Sequence, residues 1–332
     1  MKRLASLLLL LMAVTFSNGC GILGWGGPKE NSGYSRTFAH NTPFTYTNPD
    51  QRRAYFIVQG ENLRDSTWVA HVSQYKVFVC NPSFSNRDLK ILRDASPDCI
   101  CLMYTNAMMI PLGKYNSPYY KELDRLFSRD FCLRSTTRDY TFSSYEPNTP
   151  QSQFAMVLTQ NSSLALIGFF EDYAMARTDW DGFYIDMFVD GIPNWIRNNV
   201  NSQLLPGEGI DYNQDGRTDS WEDMDQADKD GKLLFSSLLR ERFPNHIIIA
   251  NTRILPEPNP NLNGVCIENI GTGTGAVSWL DAVRFFSDQE RVSARPIVSI
   301  AYGNGSCTYA TQIAKYYQWV YVGDIVGVNK CF

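Results

Sequence analysis

The chain has 332 residues, 44% of them hydrophobic, and carries 34 Asp and Glu against 30 Lys and Arg. A net charge of −4 with no basic stripe anywhere excludes a nucleic-acid binder. His40, His71 and His246 are scattered with no Cys or His beside them, which argues against a zinc centre.

At the start, Lys2 and Arg3 precede an uncharged run, Leu4–Phe16, and then Ser17-Asn18-Gly19-Cys20. A basic start, a short apolar core and small residues before the break read as a signal peptide over 1–19, too short to span a bilayer. Gly19-Cys20 resembles a bacterial lipobox, with Ser17 where a Leu is usual. That resemblance implies Cys20 as the lipidated first residue of an envelope lipoprotein, with simple secretion as the alternative. Residues 20–43, opening with GILGWGGP, then form a flexible tether. Without Lys2 and Arg3 the formal charge moves from −4 to −6. Residues 44–332, about 290 in all, suit one (β/α)8 barrel. No later stretch reaches the ~18 apolar residues of a membrane span, so the only membrane contact expected is the lipid anchor.

Seven Cys follow Cys20, without metal spacing. Cys99-Ile100-Cys101 puts two thiols on one face of a strand, beside a neighbour ending in Cys80. Export permits disulfides, and the odd count leaves at least one thiol unpaired.

In chain order, Tyr75–Cys80 reads as the first strand, Asn86–Ala95 as a helix and Asp98–Tyr104 as the second strand. After a loop from Asn106 to Pro118, Tyr119–Phe127 is helical, and either Phe131–Leu133 or Tyr140–Phe142 supplies a third strand. Phe154–Tyr173 has helical spacing. Gly182–Asp186, within DGFYIDMFVD, is an apolar run rich in aromatic and β-branched residues, the signature of a buried parallel strand, and is the fourth. A long excursion leads to the helix Ser220–Phe243. Ile247–Ala250, Gly264–Ile267, Pro296–Ala301 and Val320–Val328 are the remaining strands, with helices at Val277–Ser287 and Thr308–Trp319. Strands alternating with helices argue a parallel sheet, and eight of them argue a closed TIM barrel. No helix follows the eighth strand, and Pro49–Val72 covers that gap.

Polar residues fall at successive strand ends: Asn81, Tyr104, Asp186, Asn251, Glu268 and Tyr302. This is the pattern of a barrel's active-site rim. Asp186 ends the fourth strand and Glu268 the sixth, and a separation of two strands lets their tips face each other across the mouth for acid–base chemistry. Taken singly, Asp186 could equally cap the segment that follows it.

Four pieces, DGFYIDMF, DYNQDGRTD, LLRERFPNHIIIAN and GVCIENI, resemble the glycoside-hydrolase-type TIM barrels related to the α-galactosidase and endo-polygalactosaminidase groups, over roughly Tyr75–Phe332. The resemblance implies that Asp186 is the nucleophile and Glu268 the acid/base, and it leans toward retention of configuration. Asp186 is expected to stay ionised while Glu268, beside Ile267 and Ile270, holds its proton longer.

Asp211, Asn213, Asp215, Gly216 and Glu222 satisfy the calcium-loop pattern D-x-[DN]-x-[DN]-G-x5-E, in which Asp219 and the carbonyl of Arg217 add further oxygens. The expectation is one structural Ca2+ in the excursion after the fourth strand, walling Asp186. The other reading is a loop whose Asp and Asn side chains cap its own turns without metal. No organic cofactor is expected.

The reading is an exported, monomeric glycoside hydrolase acting on a poly- or oligosaccharide with two carboxylates. Asn81, Tyr104, Asn251, Arg253 and Tyr302 would bind hydroxyls. Trp180, Trp195 or Trp279 would stack on sugar, although core packing is the better account of each. A non-catalytic carbohydrate-binding surface lipoprotein on the same barrel is the alternative.

Overall fold

The computed structural model describes residues 52–325, apart from 59, 61, 111–116, 128–130, 139, 145–152, 253–256, 272–276 and 304–306. The expected signal peptide, Cys20 and tether lie outside the described residues, as does Arg253. Eight strands run in parallel: β1 (Arg53–Val58), β2 (Val77–Cys80), β3 (Ile100–Asn106), β4 (Gly182–Asp186), β5 (Ile247–Asn251), β6 (Gly264–Ile270), β7 (Ser299–Gly303) and β8 (Val320–Ile325). Each pairs with its neighbours in sequence, and β8 pairs back onto β1 with Arg53 opposite Val322, closing the ring. The helices are α1 (Ser66–Val72), α2 (Asn86–Ala95), α3 (Pro118–Phe127), α4 (Gln160–Phe169), α5 (Asn194–Ser202), α6 (Trp221–Arg242), α7 (Trp279–Val292) and α8 (Thr308–Tyr316). The protein is a (β/α)8 barrel. Among the described residues, no helix is long and apolar enough to cross a membrane.

Local chemistry explains most of these elements. All five residues of β5, Ile-Ile-Ile-Ala-Asn, are buried, because a barrel strand has core on both faces. At the start of α2, Ser85 and Asp88 form a capping box, and Ser220 opens α6 by accepting from the Asp223 amide. Thr159 and Ser162 do the same for α4, which continues as a π-helical stretch over Phe170–Met175.

Three expectations are corrected. The first barrel strand is Arg53–Val58, inside the segment expected only to cover a gap, and Ser66–Val72 is a helix of the barrel wall. Neither expected third strand belongs to the barrel. Residues near both pair locally and antiparallel, with Arg134–Ser135 on Ile210–Asp211 and a bridge from Arg134 to Thr141. These two errors offset each other, so Asp186 still ends the fourth strand. The helix expected from Phe154 begins at Gln160, because Phe154–Ala155 pairs with Met109–Ile110 as a short ribbon. The helix Asn194–Ser202 was not anticipated. Among the described residues, no helix joins β5 to β6.

The barrel interior is filled by Phe56, Val79, Leu102, Tyr184, Ile249, Cys266, Ile300 and Tyr321, with further small and branched residues from the same strands. Side chains two residues apart in a strand share a face. One step toward the C-terminal end, the same inward face therefore carries Asn81, Tyr104, Asp186, Asn251, Glu268 and Tyr302. This is the whole rim expected from the sequence. Asn106, one step beyond Tyr104, joins it.

The start of β4 is tied down as firmly as its end is polar. The buried carboxylate of Asp181 accepts from the Cys101 amide at 2.8 Å and pairs with Arg93 at 3.2 Å. Next to it, Gly182 lies opposite Ile247 of β5, and a Cβ placed there would sit 1.8 Å from the Ile247 carbonyl oxygen. Only glycine allows that approach.

Candidate active site

Asp186 accepts three hydrogen bonds at the mouth. Its Oδ2 accepts from the Tyr104 hydroxyl at 2.6 Å, and its Oδ1 accepts from Asn251 Nδ2 at 2.8 Å and from the Met187 amide at 2.8 Å. Three donors on one carboxyl group match the acceptor-only role of a carboxylate. Tyr104 reaches Asp186 because β3 and β4 pair with Tyr104 opposite Tyr184 and Asn106 opposite Asp186. The Tyr104 and Tyr184 rings stack at 6.2 Å and 21°. Burial, and next the neighbouring Asp186, push the Tyr104 hydroxyl well above its ordinary value, so it stays a donor.

Tyr104 and Asn251 were expected to bind substrate hydroxyls. In the structure both side chains donate to Asp186. Tyr302 is buried and lies 6.3 Å from the Phe56 ring inside the barrel. Asn81 accepts from the Ser83 amide at 2.9 Å and stands at the rim, half-buried.

Glu268 is half-buried on the inward face of β6, with only β5 between its strand and that of Asp186. The Tyr184 hydroxyl and the Cys266 thiol below are both pushed well up. Burial is the main cause in each, and the charges of Glu268 and Asp186 both add to it. The two carboxylates therefore act on the same two interior groups.

The residue after each carboxylate is left-handed: Met187 has φ 57° and Asn269 φ 60°. For a side chain such as Met this conformation is uncommon and costs on the order of 1–3 kcal/mol. Next to Glu268 the β6–β7 register also shifts between Ile267 and Ile270, a bulge of the kind found beside active sites. Asp186 ends β4, whereas Glu268 lies within the bulge of β6, whose pairing resumes at Ile270 opposite Gly303.

A cavity of about 260 Å³ opens beside this network, lined by Asn81, Tyr104, Asn106, Tyr119, Tyr120 and Met156 among others. Asn81 also lines a wider, open groove reaching Arg64 and Arg87. Asn106 was taken for the first residue of a loop. Its Oδ1 accepts from the Met108 and Met109 amides, both at 2.9 Å, and ends β3. The Asn-after-Tyr104 position was the available signal, since a strand two residues longer would have carried Asn106 to the rim.

The tryptophans go to packing. Trp180 is buried before β4, away from the strand ends, while Trp195 and Trp279 are half-buried on α5 and α7.

In the excursion after β4, Asp211 Oδ1 accepts from the Asp215 amide at 3.0 Å and Oδ2 from the Gly216 amide at 2.9 Å. Asn213 caps Asp215, Asp215 caps Arg217, and Asp219 caps Tyr212. Burial raises the Asp219 carboxyl from its ordinary value, and the nearby Asp211 and Asp215 charges add to this. Glu222 is exposed in the first turn of α6. Among the described residues, no three His, Cys, Asp or Glu side chains gather as a metal site. The stretch Arg134–Arg138 braces this excursion: Arg138 pairs with Glu208 and lowers its carboxyl to about 2. Cys80, Cys99, Cys101, Cys132 and Cys266 are buried, with Cys99 and Cys101 sulfurs 3.8 Å apart, and Cys307 is disulfide-bonded.

The fold and site together define a (β/α)8 barrel with a carboxylate pair at its C-terminal mouth. No known protein family matches the chain, and no curated protein matches it. Solved structures similar to it include the glycoside hydrolase domain of PelA from Pseudomonas aeruginosa, at TM-score 0.46 and 12% identity over 81% of this chain and 93% of that one. Others are the cycloalternan-degrading enzyme from Trueperella pyogenes (TM-score 0.48, 10% identity, 85% of this chain and 44% of that one) and the GH36 alpha-galactosidase AgaA from Geobacillus stearothermophilus (0.43, 12%, 85% and 40%). The chain spans less than half the length of the last two.

Proposed function

We propose that this protein is a glycoside hydrolase in which Asp186 attacks the anomeric carbon, or activates a water, and Glu268 protonates the departing oxygen. The observation that carries this reading is the pair itself: two carboxylates on the inward face of β4 and β6, each followed by a left-handed residue. Tyr104, Asn251 and the Met187 amide hold Asp186 in one orientation, as a nucleophile or base requires. Hydrolysis of a glycan panel by the wild type and by variants of both carboxylates is the test. Binding without cleavage would instead favour a carbohydrate-binding protein on the same barrel.

The chain is exported, in this reading, and anchored through lipidated Cys20. The basic and apolar leader supports this, and the Cys307 disulfide suits an oxidising compartment. Cys20→Ser is expected to block leader processing and to abolish incorporation of labelled fatty acid. Unchanged processing and labelling would rule the anchor out.

The loop Asp211–Glu222 binds one structural Ca2+. The complete D-x-[DN]-x-[DN]-G-x5-E pattern supports this, with the Asp219 side chain and the Arg217 carbonyl as further oxygen donors. Calcium at 100-fold over its Kd should stabilise the protein by about 2.7 kcal/mol, read as a rise in melting temperature. Asp215→Ala with Glu222→Gln should remove that rise. A wild type indifferent to both chelator and calcium would leave a self-capped turn.

A further inference from the structure

One stripe of α6 carries charge where a barrel-wall helix normally carries apolar side chains. Asp225, Asp228, Lys229 and Lys232 recur at i, i+3, i+4 and i+7, the spacing that places side chains on one helix face. Within the stripe Lys232 is 4% exposed and Asp228 fully buried, whereas the next residue, Leu233, is 54% exposed. The helix is fixed in this rotation, because a Cβ at Gly231 would lie 1.7 Å from the Leu158 carbonyl oxygen. Stability alone does not call for the arrangement, since a buried ion pair is often replaced by apolar residues of similar volume without loss.

What the stripe touches is the segment that leaves β4. Lys232 Nζ pairs with Asp228 and donates to the Val189 carbonyl at 2.7 Å. Lys229 pairs with Asp190 at 3.2 Å, and Asp225 Oδ1 accepts from the Ile192 amide at 2.8 Å. These ties begin only three residues after Asp186. In the interval Met187 is left-handed and its amide donates to Asp186 Oδ1, while the Phe188 amide donates to the Asn251 carbonyl at 2.9 Å. The Lys229 and Asp225 side chains are partly exposed, so water can stand in for either. Lys232 is out of water's reach. An apolar side chain of the same length would fill its space but could not donate to Val189.

We propose that Lys232 is a positioning residue for Asp186: from inside α6 it holds the Val189 carbonyl, and through it the Met187 turn whose amide donates to the carboxylate. The proposal rests on the reading of Asp186 as a reacting carboxylate and adds a residue that acts on it without touching substrate. The test compares two variants of the full chain. Asp228→Asn with Lys232→Met removes the donor to Val189 and strands no buried charge, so it should fold and melt within a few degrees of the wild type. On a glycan that the wild type hydrolyses, its kcat should fall at least tenfold with KM within twofold, because a small misplacement of the reacting group is felt in the transition state. Hydrogen exchange at Met187, followed by mass spectrometry of peptides that span it, should quicken at least tenfold. Asp228→Asn alone loses the same ion pair but keeps the Lys232–Val189 bond, so kcat and exchange should both stay within twofold of the wild type. A merely structural ion pair would not separate the two variants. Should the double variant fail to fold, Lys232→Gln in the Asp228→Asn background ends about one bond short of Val189 and takes its place, with the same expectations. A folded variant lacking the Val189 donor that keeps wild-type kcat or wild-type exchange overturns the proposal, as does Asp228→Asn alone falling as far as the double variant. If the wild type cleaves no glycan, the hydrolase reading falls and exchange decides. Quickening at Met187 in the double variant and not in Asp228→Asn then keeps the clamp on Asp186, and its absence overturns that too.

Discussion

Asp186→Asn and Glu268→Gln should each lower kcat by about 10²–10⁴-fold while leaving the fold intact. The reason for expecting an intact fold is in the hydrogen bonds. An Asn at 186 can keep Oδ1 toward Asn251 Nδ2 and the Met187 amide, and its Nδ2 then faces the Tyr104 hydroxyl, which can turn from donor to acceptor. Shape and partners are preserved, and the negative charge is lost. Because that charge acts on the reacting centre, kcat and kcat/KM should fall together with KM little changed. The anomer of the first product, followed by NMR, separates the two roles open to Asp186: retention if it attacks carbon, inversion if a water stands between. Circular dichroism and melting temperature of both variants serve as the folding check. A variant turning over at the wild-type rate would remove its own carboxylate from the mechanism, and both doing so would remove the pair.

The largest effect on stability is expected from Gly182→Ala. The added methyl would lie 1.8 Å from the Ile247 carbonyl oxygen and 2.6 Å from its carbon, and these are backbone atoms of a paired strand that cannot swing aside. Relief requires β4 and β5 to separate at their first hydrogen-bonded position, next to the Asp181 contacts that tie β4 to β3. Overpacking in a well-filled core usually costs ~1–3 kcal/mol, and a collision with backbone should exceed that. The variant should be poorly soluble or melt many degrees below the wild type. Gly60→Ala is the matched control, since a Cβ there meets none of the described residues within 4 Å, and it should melt within a degree or two of the wild type. Equal melting temperatures for Gly182→Ala and the wild type would contradict the close β4–β5 approach.

Much of the site could be read before folding because barrel strands are short and buried on both sides. Gly182–Asp186, Ile247–Asn251 and Gly264–Ile270 stand out as apolar runs, and a polar residue that ends such a run has only the mouth to go to. The places of Asp186, Asn251 and Glu268 toward the C-terminal ends of their strands were legible on that ground alone. The strand Arg53–Val58 was not, because it follows a long polar segment and its apolar run is brief. Phe131–Leu133 and Tyr140–Phe142 misled for the opposite reason: they have strand composition, and local antiparallel pairing satisfies it outside the barrel.

By itself, then, the sequence determined which segments become barrel strands around the site and which residues end them, since burial periodicity is a property of the chain. Tertiary structure alone decided what those residues touch. Tyr104 and Asn251 each acquired a hydrogen bond to Asp186, and Asn106 ended β3 by accepting from the Met108 and Met109 amides. The left-handed turns at Met187 and Asn269 have no Gly to announce them. These outcomes depend on which strand lies beside which and at what register, and that is set only when β8 closes onto β1 and every rim side chain acquires its neighbours at once.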